Sequence, residues 1–185
     1  MIKNLGDNDN LAEAEDIYLW EYYILSKLNF DLLHTHQIHL VNRMSQLSGD
    51  NKDVSYLAEF FLELSLFDTD FYKFSLLIKA SSAIFISRRF FQNCDIKKKY
   101  VWTDYLAKFT GLTYGDFKEC LIHLLRFLEK ACEGVYECRK LFLKYSLPEK
   151  NEVFKKLKKK LVIKIILYTN AKFSLNVFFL RLIFY

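Results

Sequence analysis

Apolar residues recur along this chain at steps of three and four rather than in strict alternation, the signature of helices that bury one face. Ile17, Trp20, Ile24, Leu25 and Leu28 fall at that spacing and predict a first helix ending near Asn29 to Asp31. A second rhythm runs through Ile38, Val41 and Met44. The polar string Ser48 to Asp53 then reads as a loop and as the main internal boundary. Beyond it Val54, Leu57, Ala58, Phe61, Leu62 and Leu66 form one broad apolar stripe, with Glu59 and Glu63 spaced to share the opposite side.

Phe67 to Asp70 should break that helix. The next stretch, Phe74 to Phe91, is apolar nearly all round and carries Ala80, Ser81, Ser82 and Ala83 at its middle. Small mid-helix residues let neighbouring backbones approach, which places this helix at the centre of a bundle. Asn93 to Lys99 is a polar connector. Trp102, Tyr105, Leu106 and Phe109 then predict a short helix closed by Gly111, a residue that takes the left-handed conformation without a Cβ penalty. Thr113 stands three residues before Asp116, a variant capping box for a helix burying Phe117, Leu121, Leu124, Leu125 and Leu128. A last helix near Val135 to Tyr145 buries Leu141 and Phe142 and stops before Pro148.

Composition agrees with an all-α fold, since one proline and five glycines in 185 residues leave little of the turn chemistry that sheets require. An apolar content of 52% is ample for a core. The four cysteines form no CxxC pair, and Met1 to Asn10 has no apolar run resembling a signal peptide, so an intracellular chain with reduced thiols is expected. Cys120, Cys132 and Cys138 lie on or beside apolar helix faces and read as small buried hydrophobes. Much of the formal charge of +5 sits in two lysine clusters, Lys97 to Lys99 and Lys155 to Lys160. The second lacks interleaved aromatic residues for base stacking, so it reads as a solvated charge run and nucleic acid is not the expected partner. Leu161 to Tyr185 is apolar but interrupted by Lys164, Asn170, Lys172, Asn176 and Arg181; it offers no uninterrupted span of ~20 apolar residues, and no membrane partner is expected.

Catalytic patterns are missing. There is no Gly-rich phosphate loop, no HExxH and no GxSxG. Glu13 with Glu15 and Glu59 with Glu63 read as solvated helix faces rather than paired catalytic carboxylates. His34, His36 and His39 crowd one region without a cysteine or acid at ligand spacing, which favours a polar loop over a zinc site. Arg88 and Arg89 fall where a cation stabilises the negative end of the central helix. No catalytic residue, cofactor or metal is expected, and the chain should work by binding a partner.

Several strings, in order, resemble the cyclin family, and specifically its A- and B-type mitotic members. WEYYILSKLNFDL at Trp20 to Leu32 resembles the last helix of the first cyclin box with its L-x-F-x-L ending. YLAEFFLELSLFDTDFYKF at Tyr56 to Phe74 resembles the opening helix of the second box, and LLIKASSAIFISRRFF its small-residue central helix. WTDYL at Trp102 to Leu106, TGLTYGDFKECL at Thr110 to Leu121 and KYS at Lys144 to Ser146 resemble the later helices of that box.

The resemblance implies a five-helix C-terminal cyclin fold preceded by one or two helices of a truncated first box. The corresponding division is 1–50 for the first-box remnant and linker, 51–150 for the C-terminal domain and 151–185 for a basic, then apolar tail. The implied function is a regulatory subunit of a cyclin-dependent serine/threonine kinase in cell-cycle control, in the nucleus or cytoplasm and not itself an enzyme. The alternative is a cyclin-fold adaptor or truncated non-activating relative that binds protein or nucleic acid without activating a kinase. In that family a lysine and a glutamate of the first box engage the kinase's mobile helix. Glu21 takes the glutamate's position, with Lys27 of the same helix as a second contact candidate, and the lysine has no counterpart. The family's Pro-Thr after L-x-F-x-L is replaced by Thr35 and His36, which removes a fixed φ and permits a different chain direction there.

Overall fold

A computed structural model describes residues 14–33, 36–91, 101–134 and 138–159. Among these the regular structure is helical, with no strand, in agreement with the all-α expectation. The chain divides into two units, Met1–Thr35 and His36–Tyr185. The first contains α1 (Ala14–Lys27). The second contains α2 (Gln37–Ser48), α3 (Lys52–Leu64), α4 (Leu76–Phe91), α5 (Asp104–Thr110), α6 (Tyr114–Cys132) and α7 (Arg139–Lys144). A further helix, α8, is described over 153–159.

The polar string at Ser48 to Asp53 is a turn inside the second unit. Gly49 closes α2 in the left-handed region (φ 62°), and the Asn51 side chain caps α3 by accepting from the Val54 N–H. Helix α2 belongs with the helices after that turn because Val41 and Met44 are wholly buried in the same core as α3 and α4. At the other end α8 adds Val153 and Leu157 to that core. The core therefore draws on both sides of the stretch 51–150.

Helix α4 is central, packed against α2, α3 and α6. Its small residues Ala80, Ser81, Ser82 and Ala83 have no exposed surface. The Ser82 hydroxyl lies 2.9 Å from the Ile78 carbonyl in its own helix and 3.2 Å from the Phe117 carbonyl of α6, the close approach that a larger side chain would prevent. Helix α6 begins at the expected capping box. The Asp116 carboxylate accepts from the Thr113 N–H at 2.6 Å and from its hydroxyl at 2.7 Å, and these bonds hold its pKa below the usual carboxylate value. All five apolar residues assigned to the inner face of α6 are buried. Where α3, α7 and α8 meet, Phe60 lies against Phe61, Phe142, Tyr145 and Phe154, and Phe142 stacks on Phe154 with centroids 4.4 Å apart.

Several side chains depart from the periodic reading. Leu66 is 62% exposed because α3 ends at Leu64 and tightens into the 3-10 turn Ser65–Phe67, which rotates the next position out of the stripe. Helix α5 buries Leu106 but exposes Tyr105 and Phe109; it packs against α2, and Trp102 just before it donates its indole N–H to the Leu112 carbonyl just after it. Cys132 is exposed, unlike Cys120 and Cys138. The connector Asn93 to Lys99, Val135 and everything from Lys160 onward lie outside the described residues.

Glu59 and Glu63 are not a solvated face. Lys150 donates to Glu59 at 2.6 Å, and Glu63 receives the Lys144 ammonium at 2.7 Å and the Tyr145 hydroxyl at 2.8 Å. Asp53, one end of the same helix, accepts from Asn151 and Lys156. Three carboxylates of α3 thus hold the segment from α7 to α8 against it. Burial, reinforced by the nearby Glu63 carboxylate, pushes the Tyr145 phenol well above its usual pKa, so it acts as a permanent donor. Tyr145→Phe should lower stability by about 1.5 kcal/mol, the net worth of a hydrogen bond to a charged acceptor. Urea unfolding checks this, and an unchanged midpoint would mean that Lys144 alone satisfies Glu63.

Candidate functional site

Helix α1 carries both residues assigned to partner contact. Its sequence has no proline or glycine, and Lys27 in the last turn complements the helix dipole. The helix stops by a double left-handed turn, Asn29 at φ 52° and Phe30 at φ 56°, in which the Phe30 N–H reaches back to the Leu25 carbonyl at 2.9 Å. Positive φ is ordinary for asparagine and costly for phenylalanine, so the L-N-F-D-L string from Leu28 to Leu32 is held by those backbone bonds.

Glu21 and Lys27 are both exposed. Six residues apart on an α-helix, they point roughly 120° from one another and do not form a single patch. Lys27 places its ammonium 5.3 Å from the centre of the Tyr23 ring, a local cation–π contact. Around them Ile17, Trp20, Ile24 and Leu28, the stripe that predicted this helix, are about half exposed or more, Trp20 at 64%. Trp20 and Tyr23 meet edge to face. The exposed side chains of α1 are largely aromatic and apolar, with the Asp16 and Glu21 carboxylates and the Lys27 ammonium among them.

Burial pushes the Cys120 thiol up to about 11, which leaves it protonated at neutral pH, and burial also raises the Cys132 and Cys138 thiols above their usual value. Of the three histidines grouped in the sequence, His34 lies outside the described residues. His36 is the N-cap of α2 and His39 lies in its first turn, both exposed with rings 6.3 Å apart, so they belong to a helix start rather than a loop. A different group comes together in space. The donor atoms of Asp68, Asp70 and His123 lie within 4.8 Å of one another. Their hydrogen bonds account for this, because Asp68 accepts from the Asp70 N–H through one oxygen and lies 3.0 Å from His123 through the other. Sequence spacing concealed it, since His123 is 55 residues from Asp68.

Residues 35–159 match the family model described as the cyclin C-terminal domain. The chain belongs to the cyclin family. This cyclin chain is 27% identical over 139 residues to the G2/mitotic-specific cyclin cig2 of Schizosaccharomyces pombe, covering 75% of the chain and 31% of that cyclin. It is 28% identical over 141 residues to putative cyclin-A3-1 of Arabidopsis thaliana, covering 72% of the chain and 38% of the relative. Putative cyclin-B3-1 of the same plant is 27% identical over 139 residues, covering 75% and 33%. The chain thus spans about a third of the length of the curated relatives it matches, which are of A, B and mitotic type. The matched domain coincides with the second unit as far as Lys159, and Glu21 and Lys27 lie before it.

Proposed function

We propose that this cyclin chain is a regulatory subunit that binds a cyclin-dependent serine/threonine kinase and acts in cell-cycle control, and is not itself an enzyme. The observation that carries this reading is the cyclin-domain match across the second unit, with relatives named as G2/mitotic-specific cyclins. In this reading α1 is the contact element, with Glu21 as an acceptor for a basic or N–H group of the kinase and Lys27 as a second contact. Regulation is then a population shift: a surface that binds one arrangement of the kinase more tightly than another raises the population of that arrangement. The site of action is intracellular, in nucleus or cytoplasm.

The test is a pull-down with the full chain, with captured kinases identified by mass and their activity read on a peptide substrate. Glu21→Ala should weaken kinase binding about tenfold or more, the loss of one charged hydrogen bond. Equal binding by Glu21→Ala and wild type would refute the contact assignment. Capture of no kinase by the wild type would refute the function, and capture without activity would identify a non-activating binder.

A further inference from the structure

The positive end of the central helix α4 carries a cation where an anion is favoured. Helix α4 begins at Leu76, and its first turn holds no acid and ends on Lys79. A helix N-terminus bears roughly half a positive charge, so a lysine there adds like charge to like. Lys79 is 7% exposed, and its ammonium has no hydrogen bond or ion pair among the described residues. Lysine is rarely so buried without a partner.

The side chain of a helical residue leans back over the preceding turn, which brings the Lys79 stem over Ser75 and Leu76. There the Ser75 hydroxyl oxygen accepts from the Ile78 N–H at 3.2 Å, and the Ser75 carbonyl accepts from the Lys79 N–H at 3.0 Å. The N–H groups of Leu76 and Leu77 precede the first intrahelical bond and remain available as donors. Against the larger effect of burial, Lys79 lowers the pKa of the Cys120 thiol, so its ammonium lies on the side of α4 that faces α6.

The neighbouring Lys73 is already neutralised by Glu119 at 2.8 Å. Uncompensated charge at this end of α4 is therefore that of Lys79 and of the helix itself, roughly one and a half units. A carboxylate brings one negative charge, whereas a phosphate monoester brings about one and a half to two and three acceptor oxygens. The monoester matches both the charge and the donors, which are two backbone N–H groups, the Ser75 O–H and the Lys79 ammonium.

We propose that the N-terminus of α4, with Lys79 beside it, is a binding site for a phosphate monoester or free phosphate. All of its residues belong to the second unit, and it does not rest on the kinase reading.

The experiment is an NMR titration of the full chain, followed at the backbone amides, with inorganic phosphate, N-acetyl phosphoserine amide and N-acetyl serine amide in turn. Both phosphates should give saturable shifts that are largest at Leu76 and Leu77, and the serine amide should give none. Tighter binding of the phosphoserine amide would assign the site to phosphorylated side chains, and equal binding would assign it to free phosphate. Lys79→Met keeps the buried stem, removes the charge and should weaken binding about tenfold or more. Leu76→Pro removes one N–H at the first helical position, where proline fits, and should also weaken it about tenfold. Lys108→Met removes an exposed lysine of α5 and should leave binding unchanged. Failure of both phosphates to saturate these amides would overturn the proposal, as would equal losses from Lys79→Met and Lys108→Met.

Discussion

Arg88→Ala is expected to destabilise the second unit by about 3–5 kcal/mol, the cost of leaving one member of a buried ion pair without the other. Arg88 lies in the last turn of α4, and its side chain is 5% exposed. Its Nε is 3.2 Å from Asp50, itself 3% exposed, in the turn between α2 and α3, and its guanidinium donates to the Ser48 hydroxyl. Burial raises the Asp50 carboxyl above its usual pKa, Arg88 only partly offsetting this, and burial lowers that of Arg88. A carboxyl whose folded pKa lies above its unfolded one contributes stability below the unfolded value, and that contribution is lost as pH rises through the folded one. Without Arg88 the upward shift grows, so the loss caused by Arg88→Ala should be larger at neutral pH than at acid pH. Urea midpoints at both pH values measure this. Arg88→Met with Asp50→Leu should recover most of the loss, because two apolar residues leave no charge to compensate. A loss below about 1 kcal/mol at neutral pH would show that water reaches the pair.

The second large effect is expected at Phe60. This ring is fully buried where α3, α7 and α8 converge, with Phe61 and Tyr145 at 5.4 Å, Phe154 at 5.5 Å and Phe142 at 6.1 Å between centroids. Phe60→Ala removes apolar transfer energy and leaves a cavity that four aromatic neighbours cannot easily fill, so about 3–5 kcal/mol should be lost. Phe67→Ala, at a ring 45% exposed in the 3-10 turn, is the control and should cost about 1 kcal/mol or less. Hydrogen exchange should show amides of α8 losing more protection than those of α6, since Phe154 loses a direct partner. A loss under about 1.5 kcal/mol would mean that the site collapses around the missing ring.

Much of this fold was legible because its strongest signals are local. Helical spacing located the inner face of α6 residue by residue. Thr113 with Asp116 located its start, and four small residues identified α4 as central. What escaped was set by groups far apart in sequence or by a change of helical pitch. Glu59 and Glu63 looked solvated because their lysines come from the other end of the unit. Arg88 looked like an ordinary helix-end cation because its partner lies in a turn 38 residues earlier. Leu66 followed the period of α3 one position too far. The polar string at Ser48 to Asp53 marks a real turn, but polarity alone cannot say whether a turn lies between domains or inside one. For the contact candidates, family resemblance supplied Glu21, and Lys27 was added as a neighbour on the same helix; the structure shows that the two diverge around α1.

The ties between α3 and the segment ending in α8 also bear on how the unit assembles. They join residues 81 to 103 positions apart, Lys144 to Glu63 at one extreme and Lys156 to Asp53 at the other. Helical proteins usually fold fast because their contacts are short-range, and long loops closed before any reward slow the search. During synthesis α3, α4 and α6 can form and meet early, but α3 keeps three carboxylates and the Phe60 surface uncovered until residues up to Lys156 are available. The second unit should therefore complete its folding late, in one closing step that joins its two ends.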